Sequence, residues 1–341
     1  MDTKRFIVRP FEEGDFTRDN PITVEAWRGI FDSWRELLGD ELFEYFYDGW
    51  EERKYAEFGN GMRRNAEKGM AFTIVDTDDG SIAAMGSHTI SGNFGVIVSN
   101  AVRPDLRGLG LGSGLHRVLL DSMRSHGLKY AQVGTGLDKG HDGARRAYER
   151  AGFDRSSPDI TYFRNNENAP AASGFELPEG MVIRRPSDAA ERETIAALAV
   201  EAWRPVWDTA RINLGDEIFA AQGDLKAAKY SSTLNMLSQD DYFGYGLYIG
   251  GQLAGFCSWY ISDAPGGKCG VVGLNGVSNA FKGRRLGLVM QNYIVKDMLE
   301  NDVKYSKVLT GLDDGHAPAR KTYERSGFDK SIPSIRYYRK L

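Results

Sequence analysis

The sequence has few cysteines and no long apolar run. Its 341 residues include two cysteines, Cys257 and Cys269, which are too few for a disulfide framework or a zinc pattern. No stretch approaches the roughly 18 apolar residues of a transmembrane helix, and the opening residues lack the apolar core of a signal peptide. We therefore expect a cytoplasmic protein with no membrane contact, and no metal site is predicted.

A strong excess of charge of one sign is also absent. The net charge is −4 at pH 7, with 26% charged and 41% hydrophobic residues, which is the composition of a globular protein. A broad nucleic-acid surface would need excess positive charge, so no nucleic-acid partner is predicted. A length of 341 residues fits two domains of ordinary size.

What the sequence does have is a long internal repeat. Residues 136–153, GLDKGHDGARRAYERAGF, recur at 311–328 as GLDDGHAPARKTYERSGF, with 12 of 18 positions identical. The offset of 175 residues is too long for a solenoid, whose repeats span about 20–50 residues. The chain is therefore predicted to hold two copies of one domain, at 1–164 and 181–341. The segment 165–180, rich in Asn, Ala, Pro, Gly and Glu, is predicted to be the linker.

Strands come early in the first copy, and helices alternate with strands later. Helical spacing of aromatic residues covers 20–68. Asp79-Gly80 predicts a hairpin turn, and ITYFR at 160–164 is expected to close the sheet of the first copy. This order predicts an α/β fold, with a mixed and mostly antiparallel sheet flanked by helices. The remaining predicted elements are strands at 6–9, 71–76, 82–90, 94–102 and 130–135 and helices at 112–126 and 141–151.

A glycine-rich turn lies between the strand that ends at Val102 and the helix that opens near Gly112. Its sequence, residues 100–115, is NAVRPDLRGLGLGSGL. Free backbone N–H groups at a helix start, with glycines that let a ligand approach, form an anion cradle, and Arg107 adds a positive charge. The expected ligand is a pyrophosphate, and a flexible loop is the alternative. The turn lacks the GK[ST] of a Walker loop and the acidic residue of a dinucleotide fingerprint.

The sequence resembles the GNAT superfamily of N-acetyltransferases. Residues 107–112 match that family's [QR]-x-x-G-x-[GA] acetyl-CoA loop, and Ala144, Tyr148 and Gly152-Phe153 match its later segment of a small residue, a tyrosine and Gly-Phe. The resemblance covers nearly the whole chain as two consecutive domains, and implies acetyl-CoA as co-substrate. The residues that it implies for binding acetyl-CoA are Ala101, Val102, Arg107, Gly108, Leu109, Gly110, Leu111, Gly112 and Ser113.

Acetyl transfer to an amine needs a neutral amine, a polarised thioester and an acid for the departing thiolate. The resemblance implies that Tyr148 is this acid, and a core aromatic is the alternative. His141, Ala144 and Tyr148 are spaced i, i+3 and i+7, so they share one helix face. His141 is a second candidate catalytic residue. A capping or CoA-side hydrogen bond is the alternative for His141, and its recurrence as His316 favours that alternative.

No residue stands out as the general base. His88 and Asn100 lie on or near the predicted central strands. A half-buried structural histidine is the alternative for His88. Asn100 recurs as Asn275, which favours a structural or pantetheine-side hydrogen bond. A water chain to a distant carboxylate would serve equally well.

The second copy departs from the loop pattern. Lys282 stands in place of Arg107, and Arg285 stands in place of Gly110. A side chain at position 285 would hinder the close approach of a pyrophosphate. We therefore expect the first copy to be the working site. A purely structural role and a second acetyl-CoA site both stay open for the second copy.

The acceptor amine is harder to predict. In the resembled family the helices after the first strand wall the acceptor pocket, and here that segment is acidic. A solvated helix face is one interpretation, and a pocket for a small cationic amine such as an aminoglycoside or polyamine is the other. Alternative functions are a non-catalytic acyl-CoA-binding protein and a peptide N-terminus acetyltransferase, and a homodimer stays open. The acids between residues 31 and 52 are Asp32, Glu36, Asp40, Glu41, Glu44, Asp48, Glu51 and Glu52.

Overall fold

The computed structural model describes residues 1–18 and 22–341. The predicted helical range 20–68 forms three helices, and residues 20 and 21 lie outside the described residues. The elements of the first half are β1 (Phe6–Pro10), α1 (Ile22–Leu38), α2 (Asp40–Tyr47), α3 (Trp50–Ala66), β2 (Ala71–Asp76), β3 (Ile82–Ser91), β4 (Phe94–Val102), α4 (Leu111–Ser125), β5 (Tyr130–Gly136), α5 (Asp142–Arg150) and β6 (Arg155–Asn165).

The second half repeats this order. Gly39, with φ of 76°, separates α1 from α2, and Gly215, with φ of 75°, kinks the corresponding helix of the second half. Only glycine adopts this conformation without strain, so both copies keep it. The elements of the second half are β7 (Met181–Arg184), α6 (Ala189–Ala202), α7 (Arg204–Ala221), α8 (Leu225–Leu237), β8 (Tyr242–Ile249), β9 (Gln252–Ala264), β10 (Gly267–Val277), α9 (Leu286–Glu300), β11 (Tyr305–Gly311), α10 (Ala317–Arg325) and β12 (Lys330–Lys340).

The strands form one twelve-stranded sheet in the order β1-β2-β3-β4-β5-β12-β6-β11-β10-β9-β8-β7. Two pairs, β4–β5 and β10–β11, are parallel, and the other neighbouring pairs are antiparallel. A parallel pair needs a crossover connection, which α4 and α9 provide. The predicted fold class, an α/β fold with a mixed and mostly antiparallel sheet flanked by helices, is confirmed.

The last strands of the two halves change places. β6 pairs with β11 of the second half, and β12 pairs with β5 of the first half. The sequence predicted that ITYFR at 160–164 closes the sheet of the first copy. That prediction is wrong, because this segment closes the sheet of the second copy. β6 and β12 also pair with each other, and Asp159 lies opposite Ser334 at the middle of this pairing. The strands of the two halves continue the sheet on opposite sides of the β6–β12 pair. The domain boundaries at 164 and 181 stay a prediction.

Matching hydrogen bonds hold each exchanged strand to the half that receives it. The hydroxyl of Tyr162 on β6 donates to Glu324 on α10 at 2.9 Å. The hydroxyl of Tyr337 on β12 donates to Glu149 on α5, also at 2.9 Å. Both rings are buried in the core of the receiving half. Each core is therefore completed by a strand from the other half.

Arg164 anchors β6 within the second half, and its side chain is fully buried. Its Nε donates to Asn166 Oδ1 at 2.8 Å and to Ser306 Oγ at 3.0 Å, and one terminal nitrogen donates to the Ser326 carbonyl at 2.9 Å. The guanidinium lies 4.0 Å from the centre of the Phe328 ring. Burial lowers the pKa of Arg164 to about 9. Neutral acceptors thus hold a desolvated cation at the end of the exchanged strand.

Apolar faces of the helices cover the sheet. On α4, Leu111, Leu115, Leu119 and Met123 recur at helical spacing and are buried against β-strands of the first half. Among residues 1–18 and 22–341, no helix combines the length and apolarity needed to cross a bilayer.

Candidate active site

A cleft opens where β4 and β5 separate. The two strands pair only from Phe94 to Ile97 on β4 and from Tyr130 to Val133 on β5. Beyond these residues the cleft, of 1210 Å³, lies between the two strands and helices α1, α4 and α5. Pockets for drug-sized ligands span about 300–1,000 Å³. This cleft therefore has room for a large co-substrate and an acceptor together.

The glycine-rich turn forms one end of the cleft. Gly108 and Gly110 have φ of 87° and 78°, and α4 begins at the next residue, Leu111. The first N–H groups of a helix have no partner within the helix, so the turn presents donors to an anion. Of the nine residues predicted to bind acetyl-CoA, Leu109 is 46% exposed and does not line the cleft, whereas the other eight do. The residues present therefore fit a pyrophosphate group.

The charges along the cleft are mostly positive. Five bases and one acid line it, apart from histidine. Such a lining attracts an anionic ligand such as the phosphates of coenzyme A. The charged residues are Lys54, Arg107, Lys139, Arg146, Arg150 and Asp142.

Tyr148 on α5 lies at the cleft with its ring buried. Its hydroxyl accepts a hydrogen bond from the side-chain amide of Asn100 at 3.0 Å. Asn100 lies on β4 just beyond the point where the strands separate. Burial raises the pKa of Tyr148 to about 12, although the hydrogen bond from Asn100 opposes this shift. A phenol with this pKa stays protonated at neutral pH and can donate its proton.

Sequence reasoning missed His116, which lies on α4 beside Tyr148. The centres of the two rings are 4.8 Å apart, and the side chain of His116 is buried. Burial lowers the pKa of His116 to about 4, although a hydrogen bond to the Ala147 backbone opposes this shift. Within the described residues, no group pairs with its Nδ1. Gln291 is the counterpart of His116 in the second copy, so both copies have a polar residue at this buried helix position. This recurring polar residue was the signal in the sequence that could have identified His116.

His141 is oriented by a buried carboxylate. Its Nδ1 lies 2.6 Å from Oδ2 of Asp138, and the Trp34 indole donates to the same oxygen at 3.2 Å. Burial acts to raise the pKa of Asp138, but the hydrogen bonds from His141 and Trp34 outweigh it and hold that pKa below its usual range. A carboxylate at Nδ1 keeps the proton there and leaves the Nε2 lone pair free. His141 and Tyr148 line the same cleft, so one cleft offers a proton acceptor and a proton donor.

The segment around His141 is also a packed structural unit. A Cβ on Gly136 would lie 2.3 Å from the Nδ1 of His141, so only glycine fits there. The Arg145 guanidinium donates to the carbonyls of Gly136 and Asp138 at 2.7 and 2.9 Å. These contacts explain, without catalysis, why Gly136, Asp138, His141 and Arg145 all recur in the repeat.

The other end of the cleft has an aromatic wall and a contribution from the second half. Phe31 stacks on Trp50 with ring centres 4.0 Å apart, and Trp34 is fixed by Asp138. The exchanged strand β12 forms the facing wall. Sequence reasoning missed this contribution, because no local pattern shows which sheet a strand joins. The residues at this end are Ala26, Trp27, Ile30, Phe31 and Trp34 of α1 and Ile332 and Ser334 of β12.

The acidic side chains of the run at 31–52 do not line the cleft, although Phe31 and Trp34 of the same run do. Arg35 pairs with Asp40 at 2.7 Å and with Glu44 at 3.4 Å. Glu41 accepts a hydrogen bond from the Tyr305 hydroxyl at 2.8 Å, across the two halves. None of the eight acids is among the described residues that line the cleft. The positions of these acids favour the solvated-face interpretation.

His88, considered as a base, lies in the core. The residue is fully buried and its Nε2 lies 2.9 Å from the Ser122 hydroxyl. Burial lowers the pKa of His88 to about 4, with a further contribution from the nearby His126. His88 does not line the cleft, so its position favours the structural interpretation.

Comparison with known proteins shows which family this chain belongs to. The sequence profile of the acetyltransferase (GNAT) family matches residues 31–153 and 201–328, which is more than half of the chain. The chain belongs to the GNAT family. No curated protein matches this GNAT sequence. Both profile matches end before the exchanged strands β6 and β12 begin.

Two solved structures share the fold of this GNAT protein. A GCN5-related N-acetyltransferase from Sphaerobacter thermophilus is 17% identical, with a TM-score of 0.56, over 98% of this chain and 96% of that chain. A tandem GNAT protein from the clavulanic acid biosynthesis pathway is 14% identical, with a TM-score of 0.51, over 98% of both chains. The predicted tandem GNAT architecture is confirmed, and with the family match the chain is an acetyl-CoA-dependent N-acetyltransferase.

The second GNAT half keeps the tyrosine–asparagine pair and the histidine–aspartate pair. Asn275 donates to the Tyr323 hydroxyl at 2.7 Å, and His316 Nδ1 lies 2.6 Å from Asp313 Oδ2. Arg285 adopts φ of 59°, close to the 78° of its glycine counterpart in the first half. The loop backbone is therefore retained, with an exposed arginine side chain in a conformation that L residues rarely adopt.

Proposed function

We propose that the first cleft is the working site, and that it moves an acetyl group from acetyl-CoA to a primary amine by direct attack. The observation that carries this proposal is that Tyr148 and His141 line one cleft, beside a glycine-rich turn that matches the family pattern. Asp138 orients His141, and Asn100 holds the Tyr148 hydroxyl. The second half contributes less to catalysis in this proposal, because its turn is altered at position 285.

The first cleft would hold acetyl-CoA at its positive end. The N–H groups at the start of α4 and the Arg107 guanidinium would bind the pyrophosphate. When bound, acetyl-CoA supplies an activated thioester. Neither Cys257 nor Cys269 lines the cleft, and no serine that lines it is hydrogen-bonded to a histidine among the described residues. This supports direct attack by the amine rather than transfer through a covalent enzyme intermediate.

Two side chains would move the protons. The Nε2 of His141, freed by the bond between Nδ1 and Asp138, accepts a proton from the attacking amine. The Tyr148 hydroxyl donates a proton to the departing thiolate, because burial keeps this phenol protonated. Asn100 and the ring of His116 hold the hydroxyl in place. Tyr148 and His141 are thus proposed as the acid and the base.

The acceptor end supports an amine attached to an apolar or aromatic group. Trp27, Phe31 and Trp34 offer apolar faces, and Lys54 lies 4.8 Å from the centre of the Trp27 ring. Aromatic faces bind both apolar bodies and cations. A small polycation such as an aminoglycoside or polyamine stays a prediction, and the acids at 31–52 that suggested it do not line this cleft.

The decisive experiment measures acetyl-CoA consumption by the full chain against a panel of amines. The panel contains arylalkylamines, polyamines, aminoglycosides, amino acids and peptides. We expect turnover with an arylalkylamine and formation of one N-acetyl product. Coenzyme A binding without turnover of any amine would overturn the proposal in favour of an acyl-CoA-binding protein. Turnover of peptides alone would favour a peptide N-terminus acetyltransferase.

A further inference from the structure

The exchanged strand β12 contacts the end of α5, the helix that carries Tyr148. The Tyr337 hydroxyl donates to Oε1 of Glu149, the residue after Tyr148, at 2.9 Å. The centres of the Tyr337 and Tyr148 rings are 6.3 Å apart, and both rings are buried in the core of the first half. Farther along β12, the Arg339 guanidinium donates to the Ala151 carbonyl. The end of α5 is thus attached to a strand that comes from the second half of the chain.

The other contacts of Tyr148 come from the first half. Asn100 donates to its hydroxyl at 3.0 Å, and the rings of His116 and Phe153 lie 4.8 and 6.0 Å from its ring, centre to centre. Asn100 and His116 line the cleft, whereas Tyr337 is not among the described residues that line it. Tyr337 therefore acts on the reaction only through Tyr148 and its helix.

The bond between Tyr337 and Glu149 is strong and stays formed at neutral pH. Burial raises the pKa of Tyr337 to about 12, the bond to Glu149 adds to this shift, and the charge of Arg145 opposes it. The phenol therefore stays protonated and can donate. Because the acceptor is a carboxylate, the bond is stronger than one between two neutral groups.

We propose that Tyr337 is a positioning residue for acetyl transfer in the first cleft. Its bond to Glu149 and its ring contact hold the Tyr148 hydroxyl where the thiolate departs. This role depends on the proposed function, in which Tyr148 is the acid. A displacement of about 1 Å at a reacting group can lower a rate by about 10²-fold, so small shifts of α5 matter. The second half thereby takes part in the reaction of the first cleft through its last strand.

The second half offers a matched control. Tyr162 on β6 donates to Glu324 on α10 at 2.9 Å, and its ring lies 6.4 Å from that of Tyr323, centre to centre. Tyr337→Phe and Tyr162→Phe therefore each remove one hydroxyl and one hydrogen bond at equivalent places. We expect the two variants to have similar thermal unfolding midpoints. A purely structural role for Tyr337 predicts similar kinetics as well.

The test is steady-state kinetics of the full chain with acetyl-CoA and the amine of the panel that gives the highest turnover. Tyr337→Phe should lower kcat by about 10-fold and leave the KM for acetyl-CoA unchanged, because the acid acts only as the thiolate leaves. Tyr162→Phe should leave kcat close to the wild-type value. Equal losses of kcat in the two variants would overturn the positioning role.

Variants of Glu149 test the same bond from its other end. Glu149→Gln keeps an oxygen that accepts from the Tyr337 hydroxyl and should retain most of kcat, whereas Glu149→Ala should lower kcat as Tyr337→Phe does. The two changes combined should cost no more than either alone, because both remove one bond. The side chain of Glu149 is exposed, so its variants test the bond even if Tyr337→Phe does not fold.

The outcomes separate this role from the proposed function. A wild-type kcat in Tyr337→Phe or in Glu149→Ala, together with a large loss in Tyr148→Phe, would overturn the positioning role alone. A wild-type kcat in Tyr148→Phe, or no acetyl transfer to any amine of the panel, would overturn the proposed function and the positioning role together.

Discussion

The two halves of this protein share two hydrogen-bonded pairs and differ in the residues around them. Each half has a buried tyrosine held by an asparagine, at 3.0 Å in the first half and 2.7 Å in the second, and each has a histidine 2.6 Å from an aspartate. The glycine-rich turn is intact only in the first cleft. Of the two tryptophans on the aromatic wall, Trp27 recurs as Trp203, whereas Ala210 stands in place of Trp34. The difference teaches that the turn and the wall can change while the two hydrogen-bonded pairs stay the same.

The retained pairs have two explanations, packing and catalysis. Arg145 ties the backbone of the first repeat segment, and Arg320 does the same in the second at 2.7 Å to Gly311 and Asp313. Packing alone would therefore preserve the histidine and aspartate in a cleft that does not catalyse. Activity data on paired variants decide how much of the centre is catalytic.

The largest expected effect is on turnover in the first cleft. Tyr148→Phe should lower kcat by about 10²–10⁴-fold, because the acid for the departing thiolate is lost. Tyr323→Phe should change kcat little. Steady-state kinetics with a saturating amine measures both, and calorimetry should show unchanged acetyl-CoA binding in each variant. Equal losses in the two variants would mean that both clefts work.

The second expected effect is on stability, and it compares the two arginines of the exchanged strands. Arg164→Ala should lower the free energy of unfolding by about 2–4 kcal/mol, because buried acceptors lose their donors and a cavity forms. Arg339→Ala should cost about 1 kcal/mol. Arg339 is half-buried and donates to the carbonyl of Ala151.

Urea unfolding followed by circular dichroism measures these free energies. Arg164→Met is the matched variant, since it fills most of the space without donating hydrogen bonds. A loss in Arg164→Met as large as that in Arg164→Ala assigns the effect to the hydrogen bonds. Equal losses at Arg164 and Arg339 would contradict the difference in burial.

The third expected effect exchanges the loop residues of the two clefts. Gly110→Arg should weaken binding of coenzyme A by about 10-fold or more, because the side chain obstructs the approach of the pyrophosphate and the φ of 78° strains a residue with a Cβ. Arg285→Gly should raise the number of coenzyme A molecules bound per chain from one to two. Calorimetric stoichiometry measures both results. Two molecules bound to the wild type would show that Arg285 does not block the second cleft.

The smallest expected effect concerns pH, because we expect kcat to stay constant as the pH rises. In the proposed reaction the acid form of Tyr148 is the active one. Burial raises the pKa of Tyr148 to about 12, so this side chain stays protonated as the pH rises from 7 to 10.5. A tyrosine with the ordinary pKa near 10 would lose about three quarters of its acid form at pH 10.5. We expect kcat in the folded enzyme to show no such loss over this range. A decline centred near pH 10 would indicate an unshifted tyrosine.

Local motifs allowed much of the first cleft to be predicted. The turn at 107–112, Tyr148 and His141 lie within short segments whose spacing already places them on a helix start or a helix face. The strands and helices followed from periodicity, because apolar residues recur every second position or every three to four positions. These signals are contained in windows of some ten to twenty residues.

Long-range pairing could not be predicted in the same way. β6 and β12 have similar sequences, so nothing within the strands shows which sheet each one joins. For this reason the part that Ser334 plays in the first cleft was missed.

The exchange of strands also determines when the protein can finish folding. β12 completes the sheet beside β5, but the ribosome makes it about 200 residues later, which takes on the order of 10–40 s. During that interval the edge of β5 is unpaired, and an unpaired edge strand can join another chain. A second nascent chain of the same sequence presents the same edge. Newly made chains should therefore be most prone to intermolecular pairing before the last strand emerges, and slower translation of the second half would lengthen that period.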